Sequence, residues 1–294
     1  MRVTSYYKKA SIGEHFTFWE HGIGVALPAA VARVLNASLD LVPMESGSGY
    51  LVYDTDIAFC QLFDRGYLKR PGRFIYTVVS DVIGYTKPIT DWIEAMRPNL
   101  LLCLQTIDPN VVKFCTDRGC AVQFFPWFVL DAPQIKPKTV YGMCTGCTDP
   151  AVYPRRNQIA SYLNGLKRDD VVVSCSHTFG NYKLNNEEYI DRLARCRYYF
   201  SGAIYDKYIP PKYYEVAANE ACLVTFHVPG MEELGFIDQV TCKVIDRLED
   251  IEPILSSDSY VEIGRAARNM VMKRHSVEAR AEQLVKAYHE FLNR

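Results

Sequence analysis

Short, continuously apolar segments recur along this chain, each followed by a stretch with helical spacing, and the pattern runs twice. In the first half an opening strand is expected at 2–7, and the apolar runs fall at 39–42, 57–62, 74–79, 100–104 and 121–125. They do not alternate apolar with polar residues, so they read as strands covered on both faces, the condition of parallel sheets. Between them, Val25, Leu27, Ala30, Val31, Val34 and Leu35 mark one apolar helix face after a glycine-bearing turn that runs from Gly13 to Gly24. Further helices are expected over 90–96, stopped by Arg97-Pro98, and over 108–117, with Pro109 in its first turn. Such alternation predicts an α/β chain built on doubly wound, mostly parallel sheets.

The rhythm breaks once. Pro126, Pro133 and Pro137 make 125–138 a stiff, extended connection and the best domain boundary in the chain. Beyond it the alternation restarts, with strands expected at 139–143, 170–175, 198–201, 222–226 and 240–244. The helices between them are expected at 155–166, 186–195 and 211–219. A long last helix carries Val277, Ala281, Leu284, Val285, Tyr288 and Leu292 on one stripe. The reading is two Rossmann-like domains, 1–133 and 134–294, facing a cleft, with the last helix able to pack back on the first domain. Ligands of such folds sit at the carboxyl ends of the strands.

Composition narrows the function classes. The formal net charge is −1 and is balanced in both halves, whereas a chain living on phosphate backbone alone would carry a basic excess. No basic-then-apolar leader and no apolar run of about 18 residues are seen. The ten cysteines stand singly in apolar segments such as those of Cys60, Cys103, Cys175 and Cys222. That is the pattern of buried reduced thiols, and it gives a cytoplasmic expectation.

Three stretches of the second half carry a family likeness. They are KTVYGMCTGCTDPAVYPRRNQIASYL (138–163), PPKYYEVAANEACLVTFHVPGMEELGF (210–236) and KRHSVEARAEQLV (273–285), with FFPWFVLD (124–131) as a proline-bearing crossing. Together they resemble the C-terminal domain of GT-B glycosyltransferases, particularly the CgeB-like spore-maturation type. The resemblance implies a GT-B fold, a nucleotide-sugar donor bound by the second domain and an acceptor held by the first.

Residue by residue, it implies that Glu215 accepts hydrogen bonds from ribose hydroxyls, with Lys212 and Tyr214 beside it. The residue types suit that task. A helix opening behind Pro210-Pro211 offers free N–H groups and a positive dipole end to a diphosphate, and Lys212 adds a charge there. Arg155 and Arg156 open a helix after the loop 142–154, where a guanidinium could neutralise a leaving diphosphate. His177 follows the strand at 170–175, where such domains hold the base of the nucleotide. One position departs from the family: many retaining members carry a second Glu eight residues before the ribose-binding one, and here Lys207 stands there. A cation cannot act as that carboxylate, which moves the expectation toward inversion.

Inverting transfer needs a base at the acceptor hydroxyl. Asp81, directly after the strand at 74–79, and His21, in the glycine-bearing turn, are the candidates. Gly22 and Gly24 could bring backbone close to the acceptor or a phosphate. Asp54-Thr55-Asp56 could instead hold a divalent metal in a GT-A-like transferase, but that layout leaves the second half unexplained, so neither metal nor cofactor is expected. Cys144-x-x-Cys147 lacks a second pair to complete a zinc site. The run Arg65, Lys69, Arg70, Arg73 suits a solvated loop or an acidic acceptor. The acceptor classes left open are a glycan, lipid, small molecule or modified DNA base, the last as in phage DNA-base glycosyltransferases. A non-catalytic sugar-nucleotide or glycan binder is the remaining alternative.

Overall fold

The structure, a computed structural model, describes residues 1–8, 25–44, 55–60, 72–79, 90–104 without 92 and 95, 109–177, 184 and 186–293. Two units divide the chain, one formed by Met1–Pro126 with Val277–Arg294 and the other by Trp127–Ser276.

In the first unit β1 (Arg2–Lys8), β2 (Ser38–Met44), β3 (Thr55–Cys60), β4 (Gly72–Val79), β5 (Leu100–Cys103) and β6 (Ala121–Phe124) form one sheet. Its order is β2-β1-β3-β4-β5-β6 and every pairing is parallel. The continuous apolar runs explain this, since Ile57–Cys60 and Leu100–Cys103 are buried throughout and so covered on both faces. Helix α1 (Leu27–Leu35) begins with Pro28 in its first turn and ends on Asn36 in a left-handed conformation. Its buried face is Leu27, Ala30 and Val31, while Val34, expected on that face, is 47% exposed. Helix α2 (Pro109–Thr116) follows β5 and buries Val111 and Cys115.

The second unit holds β7 (Val140–Cys147), β8 (Val171–Ser176), β9 (Cys196–Phe200), β10 (Cys222–Thr225) and β11 (Lys243–Val244). All are parallel, in the order β11-β10-β9-β7-β8. Around them lie α3 (Pro154–Gly165), α4 (Asn186–Ala194), α5 (Pro211–Ala218), α6 (Ile251–Leu255) and α7 (Tyr260–Arg274). The strand order reverses between β7 and β9, which is where ligands of doubly wound sheets sit.

Two expectations are corrected here. Strand β7 runs to Cys147, not 143, because Met143, Cys144 and Cys147 are all buried and keep the chain in the sheet. The pattern reading also assigns nothing to 245–276, where α6 and α7 stand. The buried stripe of α7 is Ile263, Gly264, Ala267 and Val271, too narrow and small-sided to register as an apolar face.

The last helix, α8 (Val277–Leu292), belongs to the first unit and lies along α1. Tyr288 meets the Phe74 ring edge-on at 5.3 Å, and buried Arg280 donates from Nε to the Pro126 carbonyl at 2.9 Å. Within the second unit, the Val129 N–H donates to the His275 carbonyl at 2.9 Å, tying together the segments that leave and re-enter it. The stretch His275-Ser276…Arg280 thus acts structurally at both crossings. Among the described residues no helix is long and apolar enough to cross a membrane.

Candidate functional site

Arg156 marks the switch point of the second sheet. It projects from the first turn of α3, is 4% exposed, and spans the carboxyl ends of β7 and β9. Nη1 donates to the Cys147 carbonyl at 3.1 Å, and Nη2 donates to Ser201 Oγ and the Gly202 carbonyl, both at 3.3 Å. The guanidinium also lies 4.0 Å over the Tyr153 ring. Its Nε is shielded from solvent without a hydrogen-bond partner among the described residues, leaving an unspent donor at this point. Gly202 permits the arrangement, since a Cβ there would stand 2.6 Å from the Arg156 backbone nitrogen.

Lys212, Glu215 and Tyr189 form the second group. Helix α5 opens on Pro210 and Pro211 with no side-chain cap, and its Tyr213 N–H turns back to the Pro210 carbonyl at 3.2 Å. One turn apart, Lys212 Nζ and Glu215 Oε2 are 3.2 Å from each other. Tyr189, from α4, joins them: Lys212 Nζ donates to its hydroxyl at 2.7 Å, and that hydroxyl donates to Glu215 Oε2 at 2.7 Å. The ammonium also sits 3.9 Å from the centre of the Tyr189 ring. Burial pulls the Lys212 ammonium below the usual lysine range and Arg156 pushes the same way, against the pull of Glu215. At Glu215 burial opposes the charge, but Lys212 and the Tyr189 hydroxyl outweigh it and hold the carboxyl below its usual range. Lys212 thus stands at the start of α5 already paired with Glu215.

The sequence and the fold of this chain have counterparts among known proteins. Residues 155–286 match the protein family described as glycosyl transferase-like. The crystal structure of a glycosyltransferase from Rickettsia africae ESF-5 superposes with a TM-score of 0.56 at 10% identity, over 99% of this chain and 98% of that one. TarM superposes with a TM-score of 0.50 at 12% identity over 79% of this chain, which spans 54% of the length of TarM. Such identities speak for fold alone: two parallel-sheet α/β units, as in GT-B glycosyltransferases. No curated protein matches. Family and fold together support a sugar transferase.

Within the glycosyl transferase-like region the sequence-predicted residues separate. Lys212 and Glu215 are in contact, and Arg156 stands at the carboxyl ends of β7 and β9. Tyr214 is 1% exposed and is held edge-on between Phe236 at 5.3 Å and His275 at 5.0 Å, so it serves the core. Arg155 points away from Arg156: its guanidinium lies 4.5 Å over Phe226 with Nε 3.7 Å from Asp206 Oδ2. His177 is exposed at the end of β8. Tyr189 was not foreseen, because nothing in its local sequence points to a partner 26 residues away.

Other predicted residues lie elsewhere. His21, Gly22, Gly24, Asp54 and Asp81 fall outside the described residues. Asp56 accepts from the Arg2 N–H at 2.9 Å. Among the described residues no group of three or more His, Cys, Asp or Glu could hold a metal ion. All ten cysteines are free thiols. Cys144 and Cys147 fall on opposite faces of β7, which takes away the loop geometry a C-x-x-C chelate needs. Cys144 Sγ lies 3.7 Å from Cys175 Sγ instead, while Cys147 Sγ turns to the His177 carbonyl, also at 3.7 Å.

Proposed function

We propose that this chain transfers a sugar from a nucleoside-diphosphate donor, UDP favoured, to an acceptor hydroxyl with inversion and without a divalent metal, in the manner of the CgeB-like type. What supports the donor half is Arg156 at the β7/β9 switch point together with the Lys212–Glu215 pair at the start of α5, within the region that matches the glycosyl transferase-like family. An arginine at the strand ends and a lysine in the first turn of an uncapped helix suit a diphosphate. Glu215, ionised and reached by Lys212 and Tyr189 through the same Oε2, keeps Oε1 for ribose hydroxyls. When the glycosidic bond breaks, the cations stabilise the departing diphosphate in place of a metal.

Inversion is favoured by Lys207, an exposed cation in the turn before α5 where a retaining enzyme would need a carboxylate. In this reading the first unit holds the acceptor, with Asp81 or His21 taking the proton from its hydroxyl. Ten free thiols suit a cytoplasmic enzyme. Calorimetry with UDP-, GDP- and TDP-sugars, followed by nucleotide release in excess EDTA, tests the proposal. Binding of one nucleotide series with slow release is expected. A folded protein that binds none of them, or that releases nucleotide only with Mn²⁺, would overturn it.

A further inference from the structure

A cavity opens at the carboxyl ends of β9, β10 and β11. It measures about 240 Å³, and Arg155, Asp206, Phe226, His227 and Asp246 supply its functional side chains. Ala203, Val228 and Ile245 close the rest of the wall.

Asp206 reaches this wall at a conformational cost. Tyr205 and Asp206 both adopt left-handed backbone angles, φ +52° and +54°, in a tight turn closed by the Lys207 N–H on the Ile204 carbonyl at 3.0 Å. A tyrosine in that region persists only where the surroundings hold it, and such strain gathers at ligand sites. The Tyr205 N–H donates to the Val152 carbonyl at 2.7 Å, which fixes the turn. Asp206 Oδ1 is shielded from solvent and has no hydrogen-bond partner among the described residues. An acceptor left in that state calls for a donor.

The chemistry of the wall selects the ligand. Two carboxylates outnumber the one guanidinium, and His227 is engaged with Glu232 at 3.1 Å, so a phosphate is disfavoured. Ionised carboxylates only accept, hence the ligand must present donors, as neutral hydroxyl groups do. The position says which hydroxyls. Arg155 and Arg156 are successive residues of one helix start; Arg156 goes to the switch point and Arg155 to this cavity. Asp206 stands six residues before Lys212 on the segment that leads into α5. The cavity and Arg156 therefore share the carboxyl end of β9, one helix start apart.

We propose that this cavity seats the glycosyl ring of the donor, with Asp206 and Asp246 accepting hydrogen bonds from its hydroxyls and Arg155 donating to a ring or hydroxyl oxygen. The assignment rests on the donor reading above, and it gives this chain a sugar-selecting set that Glu215 does not supply.

The test is calorimetry of the full chain with UDP, GDP and TDP and with their hexose derivatives, in wild type, Asp206→Asn and Asp246→Asn. Asparagine keeps the shape of each side chain and tolerates the left-handed backbone at 206. For the preferred nucleotide, the hexose is expected to tighten wild-type binding by roughly tenfold over the bare diphosphate, the scale of charge-assisted hydrogen bonds. Each folded variant should lose most of that gain while binding the bare diphosphate within about twofold of wild type. The two carboxylates lie on different elements, so one folded variant suffices. Variants that keep the gain, or a wild type that binds the diphosphate but gains nothing from any hexose, overturn this inference and leave the donor reading standing. A wild type that binds no nucleotide removes both.

Discussion

The Tyr189 hydroxyl donates to Glu215 across two helices at 2.7 Å while accepting from Lys212, so one phenol holds both the carboxylate and the ammonium. Tyr189→Phe keeps the ring under the ammonium and removes only this link. It is expected to weaken nucleoside-diphosphate binding by about 0.5–1.5 kcal/mol, the net scale of one hydrogen bond. Comparing UDP with 2′-deoxy-UDP locates the effect: the variant should discriminate between them less than wild type. Equal discrimination would mean that Tyr189 does not orient Glu215 toward the ribose.

Replacing Glu215 by Ala should cost about 1–3 kcal/mol of nucleotide affinity, as for a hydrogen bond to a charged group. The pH dependence has a definite sign. Because the folded carboxyl sits below its ordinary value of 4.5, its stabilising contribution is complete above that value and is lost as pH falls through the lowered folded one. Urea titrations of wild type and Glu215→Gln should therefore show a constant gap from pH 7 to pH 5 that closes only in more acid solution. A gap that closes near pH 6 would contradict the ion pair.

Tyr214 stands next to the site in sequence and inside the core in space. Tyr214→Ala empties the slot between Phe236 and His275 and should destabilise the protein by about 3–5 kcal/mol, the usual cost of deleting a buried aromatic ring. Denaturant unfolding measures it. A variant as stable as wild type that fails only in nucleotide binding would return Tyr214 to the site.

Gly202→Ala tests the switch point without touching a charged group. The added methyl would meet the Arg156 backbone at 2.6 Å, which forces the start of α3 outward at about 1–3 kcal/mol. Both thermal stability and nucleotide affinity should fall. Affinity unchanged alongside lost stability would separate Arg156 from donor binding.

Lys138 offers an alkaline counterpart. Its ammonium donates to the Ala194 and Asn219 carbonyls at the ends of α4 and α5, and burial lowers its pKa from 10.5 to about 8. Between those values the unfolded chain binds more protons than the folded one, so this group adds stability as pH rises. Relative to Lys138→Met, wild type should gain stability from pH 7.5 to pH 9.5 in urea unfolding. An unchanged difference would mean that the ammonium is not desolvated.

The sheets were legible because burial on both faces writes itself as unbroken apolar runs: Ile57–Cys60 and Leu100–Cys103 could be little else. Helix α7 was not, since its buried stripe uses Gly264 and Ala267, whose small side chains carry almost no hydropathy signal. Lys212 and Glu215 were readable as one turn of a proline-started helix. Tyr189 and Asp206 were not, because one reaches its partners through tertiary packing and the other through a left-handed turn that Tyr205-Asp206 does not advertise. The burial of Tyr214 was not legible for a related reason: consecutive helix positions point about 100° apart, and adjacency to Glu215 says nothing about facing the same way.

The last helix has a consequence for the order in which the protein can be completed. The second unit is one uninterrupted segment, whereas the first needs Val277–Arg294 to cover α1 and to place Tyr288 against Phe74. During synthesis the first unit therefore starts earliest yet keeps the face of α1 uncovered until Val277–Leu292 has been made. Domains made in sequence order ordinarily fold from the N-terminus onward; here the second unit, one uninterrupted segment, is expected to close before the first is covered.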